Sequence, residues 1–210
     1  MKYEIKNAVT PLLLLNIVFF ILQIFLGRDF TNLFILISED IFARPWIIIT
    51  YMFLHRGPYH LLFNMYVLYI FGSLLEQRIG ANRFLLIYFL SGIIAAFGSS
   101  LFYNASLGAS GAIMGILGVL IILMPELRLL FFFVVPMTLR MAAIIMVLID
   151  IFGVFHPSGT ANVGHLVGLG SGLLYGLLLK KEKIKFNKKF GAKTNLDSKD
   201  VDEYLRSGRI

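Results

Sequence analysis

The sequence predicts an all-α polytopic membrane protein, built as a single bundle of six transmembrane helices with a long first loop. Hydrophobic residues make up 58% of the 210-residue chain, and its mean hydropathy is +0.82. Soluble domains contain only about 45 to 50% apolar residues. The apolar residues also form runs of helical length, as membrane spans do. We therefore expect one membrane domain over residues 1–180 and a basic, polar cytoplasmic tail over residues 181–210.

The six spans are predicted in chain order from the apolar runs and from the residues that end them. They cover residues 11–27, 60–75, 84–103, 110–124, 137–155 and 162–179. Pro11 suits the first turn of a helix, whereas Pro125 and Pro157 end the fourth and fifth spans. The first loop, residues 28–59, is apolar enough to lie in the membrane interface or to fold into the bundle edge. Residues 127–135 are too few to cross and are predicted to be interfacial.

The distribution of positive charge predicts the orientation in the membrane. Six spans put both termini on one side, and ten of the nineteen Lys and Arg residues follow Leu179. Positive residues flank spans mainly on the cytoplasmic side, so we expect both termini of this multi-pass cell-membrane protein to be cytoplasmic. The net charge of +7 then favours anionic lipid as the partner and not nucleic acid. The chain has no cysteine, which excludes a disulfide framework and a thiol nucleophile.

Three polar residues are predicted to lie at one depth. His60, Ser110 and His165 each stand fifteen or sixteen positions before the first charged residue at the cytoplasmic end of a span. At about 1.5 Å per helical residue, they lie about 8 Å below the outer surface of a bilayer core about 30 Å thick. Asn64 shares the helix face of His60 one turn deeper. Buried polar groups are costly without partners, so a shared depth indicates a common site that opens to the extracytoplasmic side.

Glycines at four-residue spacing predict that the helices carrying this site pack closely. Stripes of small residues let helix backbones approach each other in lipid. The predicted packing positions lie on the fourth and sixth spans: Gly111, Gly115, Gly164, Gly168 and Gly172. These glycines account for packing alone and do not explain the polar side chains beside them.

The polar residues have the chemistry needed for acyl transfer. Ser110 is a candidate nucleophile and His165 its candidate general base. The Ser110 backbone N–H, at a helix start, and the side chains of His60 and Asn64 are candidate oxyanion donors. Asp150 is the only span carboxylate within plausible reach, and it is left open as an orienter or a structural contact beside a favoured Ser–His dyad. His55 and His156 lie in or near loops, where we expect solvated or capping roles.

These motifs resemble the rhomboid family of intramembrane serine proteases. The resemblance rests on Gly108-Ala-Ser-Gly111 at a helix start, His60-Leu-Leu-Phe-Asn64 on an earlier span, and Gly164-His165 on the last. Trp46 falls where the family often has a Trp-Arg pair, and Glu76-Gln-Arg-Ile-Gly80 is similar to its Glu-x-Arg element. Two departures concern the support of the site. Ile47 replaces the arginine, and Met114 replaces a tyrosine that packs on the base in some members.

The resemblance implies an intramembrane serine endopeptidase that cleaves peptide bonds in or beside transmembrane segments through a Ser–His dyad and an acyl-enzyme. It implies no metal and no cofactor, and its substrates would be single-span or polytopic membrane proteins in the lipid bilayer. No obligate partner is indicated. The alternative is a catalytically silent member that binds and retains membrane-protein clients. The sequence does not contain the motifs of metal-dependent or aspartyl intramembrane proteases. A transporter would need several intramembrane charges, which the predicted spans do not supply.

Overall fold

The computed structural model describes residues 7–131, 135–156 and 159–190, and these residues are mainly helical. Residues 191–210, most of the predicted tail, lie outside the described part of the chain. The described helices, in chain order, are α1 (Val9–Phe34), α2 (Ile47–Thr50), α3 (Pro58–Val67), α4 (Ser73–Ile79), α5 (Ala81–Ser100), α6 (Ser110–Leu123), α7 (Leu139–Phe155) and α8 (Asn162–Phe190). A π-helical turn, Leu68–Gly72, joins α3 to α4, so that the two form one continuous helix.

Four of the described helices are long and apolar enough to cross a membrane. They are Val9–Phe34, Pro58–Ile79, Ala81–Ser100 and Asn162–Lys185. The fourth and fifth predicted spans correspond to α6, with 14 residues, and α7, with 17 residues. Both are apolar but shorter than the usual span of about 20 residues. The chain is thus a mainly helical, multi-pass protein, while the count of six spans stays a prediction.

The predicted loops contain more structure than expected. Helix α1 continues beyond its predicted end at Gly27, where a positive φ of 69° bends it. Residues 36–37 and 105–106 pair as the antiparallel strands β1 and β2. The segment predicted to be interfacial, residues 127–135, contains β3 (Arg128–Phe131), which pairs as an antiparallel hairpin with β4 (Val135–Thr138). The description as purely helical was therefore incomplete, because strand pairs this short depend on tertiary contacts that a sequence pattern does not show.

Helix α6 lies at the centre of the packed helices, since every residue from 111 to 120 is buried. Glycines bring α8 against it. A β-carbon added at Gly168 or Gly172 would overlap the carbonyl group of Gly111 or Gly115 on α6. A β-carbon at Gly164 would overlap a serine side chain of α5. The backbones of α6 and α8 are therefore in direct contact, which fixes the distance between side chains at their first turns.

The Glu76 side chain of α4 ties the start of α1 to the bundle. Its two carboxylate oxygens accept hydrogen bonds from the backbone N–H groups of Ala8, at 2.6 Å, and Val9, at 3.2 Å. The first N–H groups of a helix have no partner within the helix, and negative charge is favourable beside them. Glu76 thus acts as a helix cap supplied by another segment of the chain.

Candidate active site

The chain turns sharply just before Ser110, the first residue of α6. Gly108 has a φ of 122°, a region that favours glycine, and its N–H donates to the Tyr51 carbonyl oxygen at 2.9 Å. A β-carbon at Gly108 would lie 2.8 Å from Cε1 of His60 and 3.8 Å from Ser110 Oγ. The absent side chain therefore lets the serine and the His60 ring border the same small space.

Ser110 and His165 are hydrogen-bonded to each other. Ser110 Oγ lies 2.7 Å from His165 Nε2, on the first turns of α6 and α8. The close glycine contacts between these two helices make this distance possible. The predicted pair is thus brought together by two helices whose backbones cannot separate without losing their packing.

Asp150 of α7 contacts the other nitrogen of the same ring. Its Oδ1 lies 2.9 Å from His165 Nδ1, and the two side chains are 7% and 18% exposed. The sequence had left this carboxylate open as an orienter or a structural contact. Asp150 lies five residues before Phe155, the last residue of α7, or about 8 Å along the helix. It is only ten positions from Arg140, the nearest charged residue of its span, so depth counting does not group it with the other polar residues, and the contact with His165 is information added by the structure.

The two candidate oxyanion side chains line the same cavity as the serine and the histidine. This cavity has a volume of about 900 Å³, and its polar lining includes Arg56, His60, Asn64, Ser110 and His165. The Arg56 backbone N–H donates to His60 Nδ1 at 3.3 Å, which leaves Nε2 as the protonated nitrogen of a neutral ring. Asn64 is buried, and one N–H of its amide donates to the His60 carbonyl oxygen at 2.8 Å. Its second N–H remains available for a ligand.

The Arg56 side chain was not singled out from the sequence, where it was one loop charge among several. Its Nη2 donates to the carbonyl oxygen of Gly159 in the connection between α7 and α8. Arg56 and Gly159 both line the cavity. The guanidinium thus links the first loop to the last one at the cavity wall, a contact between residues far apart in the sequence that no local pattern indicates.

The sequence predicted a solvated or capping role for His55, but the residue is buried. It is only 2% exposed, and its ring centroid lies 5.1 Å from that of His60. Burial, together with the neighbouring His60 ring, lowers the pKa of His55 from 6.5 to about 3. His156, by contrast, is exposed after the end of α7.

The two departures from the family motifs have local explanations. Trp46 anchors the first loop without an adjacent arginine, since its Nε1–H donates to the Leu33 carbonyl oxygen at 3.0 Å. Met114 is buried and lines the cavity one turn below Ser110. Polar support of the His165 ring comes instead from Asp150.

An apolar groove adjoins the polar cavity. It has a volume of about 850 Å³ and is bordered by α3, α6, α7 and the β3–β4 hairpin. The two cavities share the side chains of Phe63, Val67, Met114 and Met146. An extended apolar segment in this groove would therefore lie beside the serine. Within the described ranges, no three His, Asp or Glu residues are grouped as metal ligands.

Fold and site together define a class, that of multi-pass membrane proteins with a serine hydroxyl held against a histidine ring among packed helices. The Rhomboid domain family matches residues 43–182, more than half of the chain and the whole of the site. The chain therefore belongs to the rhomboid family.

Individual relatives agree with this membership. The chain is 34% identical to Rhomboid protein 1, mitochondrial, of Saccharomyces cerevisiae over 192 residues, which are 86% of this chain and 55% of the yeast protein. It is 37% identical to Rhomboid protease GluP of Bacillus subtilis over 128 residues, 60% of this chain and 24% of that protein. It is 44% identical to RHOMBOID-like protein 6, mitochondrial, of Arabidopsis thaliana over 80 residues, 37% of this chain and 26% of that protein. The chain thus matches about a quarter to about half of each relative's length.

Proposed function

We propose that the chain is an intramembrane serine endopeptidase that cleaves peptide bonds in or beside transmembrane segments of membrane proteins. The observation that carries this proposal is the 2.7 Å contact between Ser110 Oγ and His165 Nε2. A serine hydroxyl becomes an effective nucleophile when a base at this distance accepts its proton. Membership of the rhomboid family, in which two relatives carry the word protease in their names, supports the same activity.

The proposed reaction is acyl transfer in two stages. His165 Nε2 accepts the Ser110 proton as Oγ attacks the carbonyl carbon of the scissile peptide bond. The ring then gives this proton to the leaving amine, the C–N bond breaks, and the substrate acyl group remains esterified to Ser110. Water, deprotonated by the same ring, hydrolyses the ester and regenerates the serine. Apart from the substrate and this water, these steps use side chains and backbone groups of this chain, without a metal or a cofactor.

The oxyanion of each tetrahedral intermediate is proposed to form beside Gly108. The Ser110 N–H belongs to the first turn of α6, where backbone N–H groups lack partners within the helix. Nε2–H of His60 and the second amide N–H of Asn64 can donate from α3. Donors already fixed by the fold stabilise developing charge without reorganising.

The apolar groove is the proposed entry route for the substrate. Its walls include α3 and α7, and it shares side chains with the polar cavity. A membrane protein is the substrate class suited to a site reached through such a surface. Single-span and polytopic proteins both present apolar segments of this kind.

The proposed topology has six spans, formed by α1, α3 with α4, α5, α6, α7 and α8. Both termini are then cytoplasmic, and the serine opens to the extracytoplasmic side. The membrane domain would cover residues 1–180, although α8 continues unbroken through this boundary to Phe190. Residues 181–210 would provide a basic tail beside anionic lipid.

The test is cleavage of a single-span reporter by the purified chain in liposomes. Wild-type protein should cut the reporter, whereas Ser110→Ala and His165→Ala should each lose activity while the protein stays folded. A serine-directed fluorophosphonate should label Ser110 in the wild type and fail to label either variant. Mass spectrometry of the products locates the cleaved bond.

Two other outcomes would contradict the proposed mechanism or the proposed activity. Cleavage by both variants would contradict the Ser–His mechanism. Retention of the reporter without cleavage by the wild type would identify the chain as a silent member that binds membrane-protein clients.

A further inference from the structure

We propose that Asp150 is the positioning residue for His165, so that the site operates as a Ser–His–Asp triad and not as a dyad. This inference rests on the proposed protease function and adds a role on a third helix. It starts from the 2.9 Å contact between Asp150 Oδ1 and His165 Nδ1. The three side chains form one chain of hydrogen bonds that runs from α7 through α8 to α6.

The burial of Asp150 calls for a compensating partner. The residue is 5% exposed and is the only acidic residue in α7. A carboxylate among apolar helices is costly unless it is paired and hydrogen-bonded. Its partner here is the ring nitrogen of the candidate general base, which lies on the side opposite the serine.

The packing of α7 against the start of α8 holds Asp150 in place. Gly153, one helical turn after Asp150, is so close to Asn162 that a β-carbon would lie 2.7 Å from Cγ of this side chain. Asn162 is buried and begins α8 one turn before His165. The close approach at Gly153 and the contact at Asp150 therefore lie on neighbouring turns, so that one helix crossing sets both.

The contact fixes which ring nitrogen carries the proton. An ionised carboxylate can only accept a hydrogen bond, so the hydrogen between Asp150 and His165 must sit on Nδ1. The Nε2 lone pair of the neutral ring then faces Ser110, as a general base requires. When Nε2 takes the serine proton, the ring becomes a cation beside a buried negative charge. Asp150 stabilises this cation, keeps its own charge, and accepts no proton.

The decisive variant is Asp150→Asn, which keeps the shape of the side chain but removes its charge. An amide can donate its N–H to Nδ1, which moves the ring proton to Nε2. An N–H, and not the lone pair that a general base needs, then faces Ser110. We expect kcat for reporter cleavage to fall about 100- to 10,000-fold, with KM changed less than about threefold. Labelling by the fluorophosphonate should slow in parallel. Asp150→Glu, which restores the charge, should recover part of kcat.

Glu126→Gln is the matched control. Glu126 forms an ion pair with Arg140 at the opposite end of α7, so that this variant removes an acid from the surroundings of the same helix. It should keep wild-type kcat. A purely structural role of Asp150 would instead lower the melting temperature of Asp150→Asn while leaving kcat of the folded protein within about threefold, and that result would overturn the proposal.

A second measurement uses wild-type protein, so it does not depend on whether a variant at position 150 folds. In wild-type protein labelled with ¹⁵N-histidine, the neutral ring of His165 should show a protonated Nδ1 and an unprotonated Nε2. An Nε2–H tautomer would exclude the assigned role. Failure of the protease function is distinguishable from failure of this inference, because it would appear as an inactive wild type or an active Ser110→Ala variant.

Discussion

Ser110 meets side chains that come from distant parts of the sequence. Its hydroxyl contacts His165, fifty-five positions away, and the His60 ring borders the same small space on the other side of Gly108. Depth counting predicted that these residues share a level, because each stands fifteen or sixteen positions before the first charged residue at the far end of its span. It could not predict rotamers, so that the hydrogen bond itself is information added by the structure.

The proposed role of Asn64 can be separated from that of the Ser110–His165 pair. Asn64→Ala removes one proposed oxyanion donor but leaves the contact between Ser110 and His165 in place. We expect turnover to fall about 10- to 1000-fold, the effect of losing one such donor. KM and the melting temperature should change little. An unchanged kcat in the reporter assay would show that the oxyanion is bound elsewhere.

His55 makes stability depend on pH. Its folded pKa of about 3 lies below its ordinary value of 6.5, so the unfolded chain binds a proton more readily between these values. The stabilisation from the buried neutral ring is complete above about pH 6.5 and is lost as the pH falls toward 3. Below about pH 6.5 the loss grows by about 1.4 kcal/mol per pH unit, so that it reaches about 2 kcal/mol at about pH 5.

Thermal melts in detergent at about pH 7.5 and about pH 5 test this dependence. His55→Gln should show a smaller drop in melting temperature on acidification than the wild type. His156→Gln, which changes an exposed histidine, should retain the wild-type drop. An equal drop in the wild type and His55→Gln would assign the acid sensitivity to other groups.

The glycines of α8 differ in how closely they approach neighbouring atoms. Gly168 faces the Gly111 carbonyl group of α6, whereas nothing lies within 4 Å of the β-carbon position of Gly170, two residues further along α8. The sequence alone grouped Gly168 with its packing stripe through the four-residue spacing. The structure adds the atoms that each substitution would meet.

Gly168→Ala and Gly170→Ala therefore form a matched pair. Gly168→Ala forces α8 away from α6, which should cost about 1 to 3 kcal/mol in the free energy of unfolding and lengthen the contact between Ser110 and His165. Reporter cleavage should fall with it. Gly170→Ala should be neutral or stabilise the helix by up to about 1 kcal/mol. Equal melting temperatures for the two variants would contradict the packing argument.

The sequence predicted the membrane class and the order of the main helices because apolar runs and prolines are local signals. It did not predict features that depend on contacts between distant segments. The strands of the β3–β4 hairpin were not predicted, and His55 is buried because residues 47–54 fold inward against the bundle. Asp150 was recognised as a carboxylate within reach, but its role stayed open, because the contact with His165 depends on how α7 crosses the start of α8.

The position of the groove leads to a prediction for the whole molecule. Ala143 of α7 lines the apolar groove but not the polar cavity. Ala143→Trp should fill part of the groove and exclude a transmembrane substrate, lowering kcat/KM for the reporter at least about tenfold. The fluorophosphonate is small and reaches the serine through the polar cavity, so its labelling rate should stay near the wild-type value.

Leu148→Trp is the control for this substitution, because Leu148 is 60% exposed on the same helix and does not line the groove. It should leave both reporter cleavage and labelling unchanged. Parallel loss of cleavage and labelling in Ala143→Trp would mean that the substitution distorts the site. Unchanged cleavage would mean that substrate arrives by another face. Selective loss of reporter cleavage requires that the membrane-embedded substrate and the small reagent use different routes to one serine.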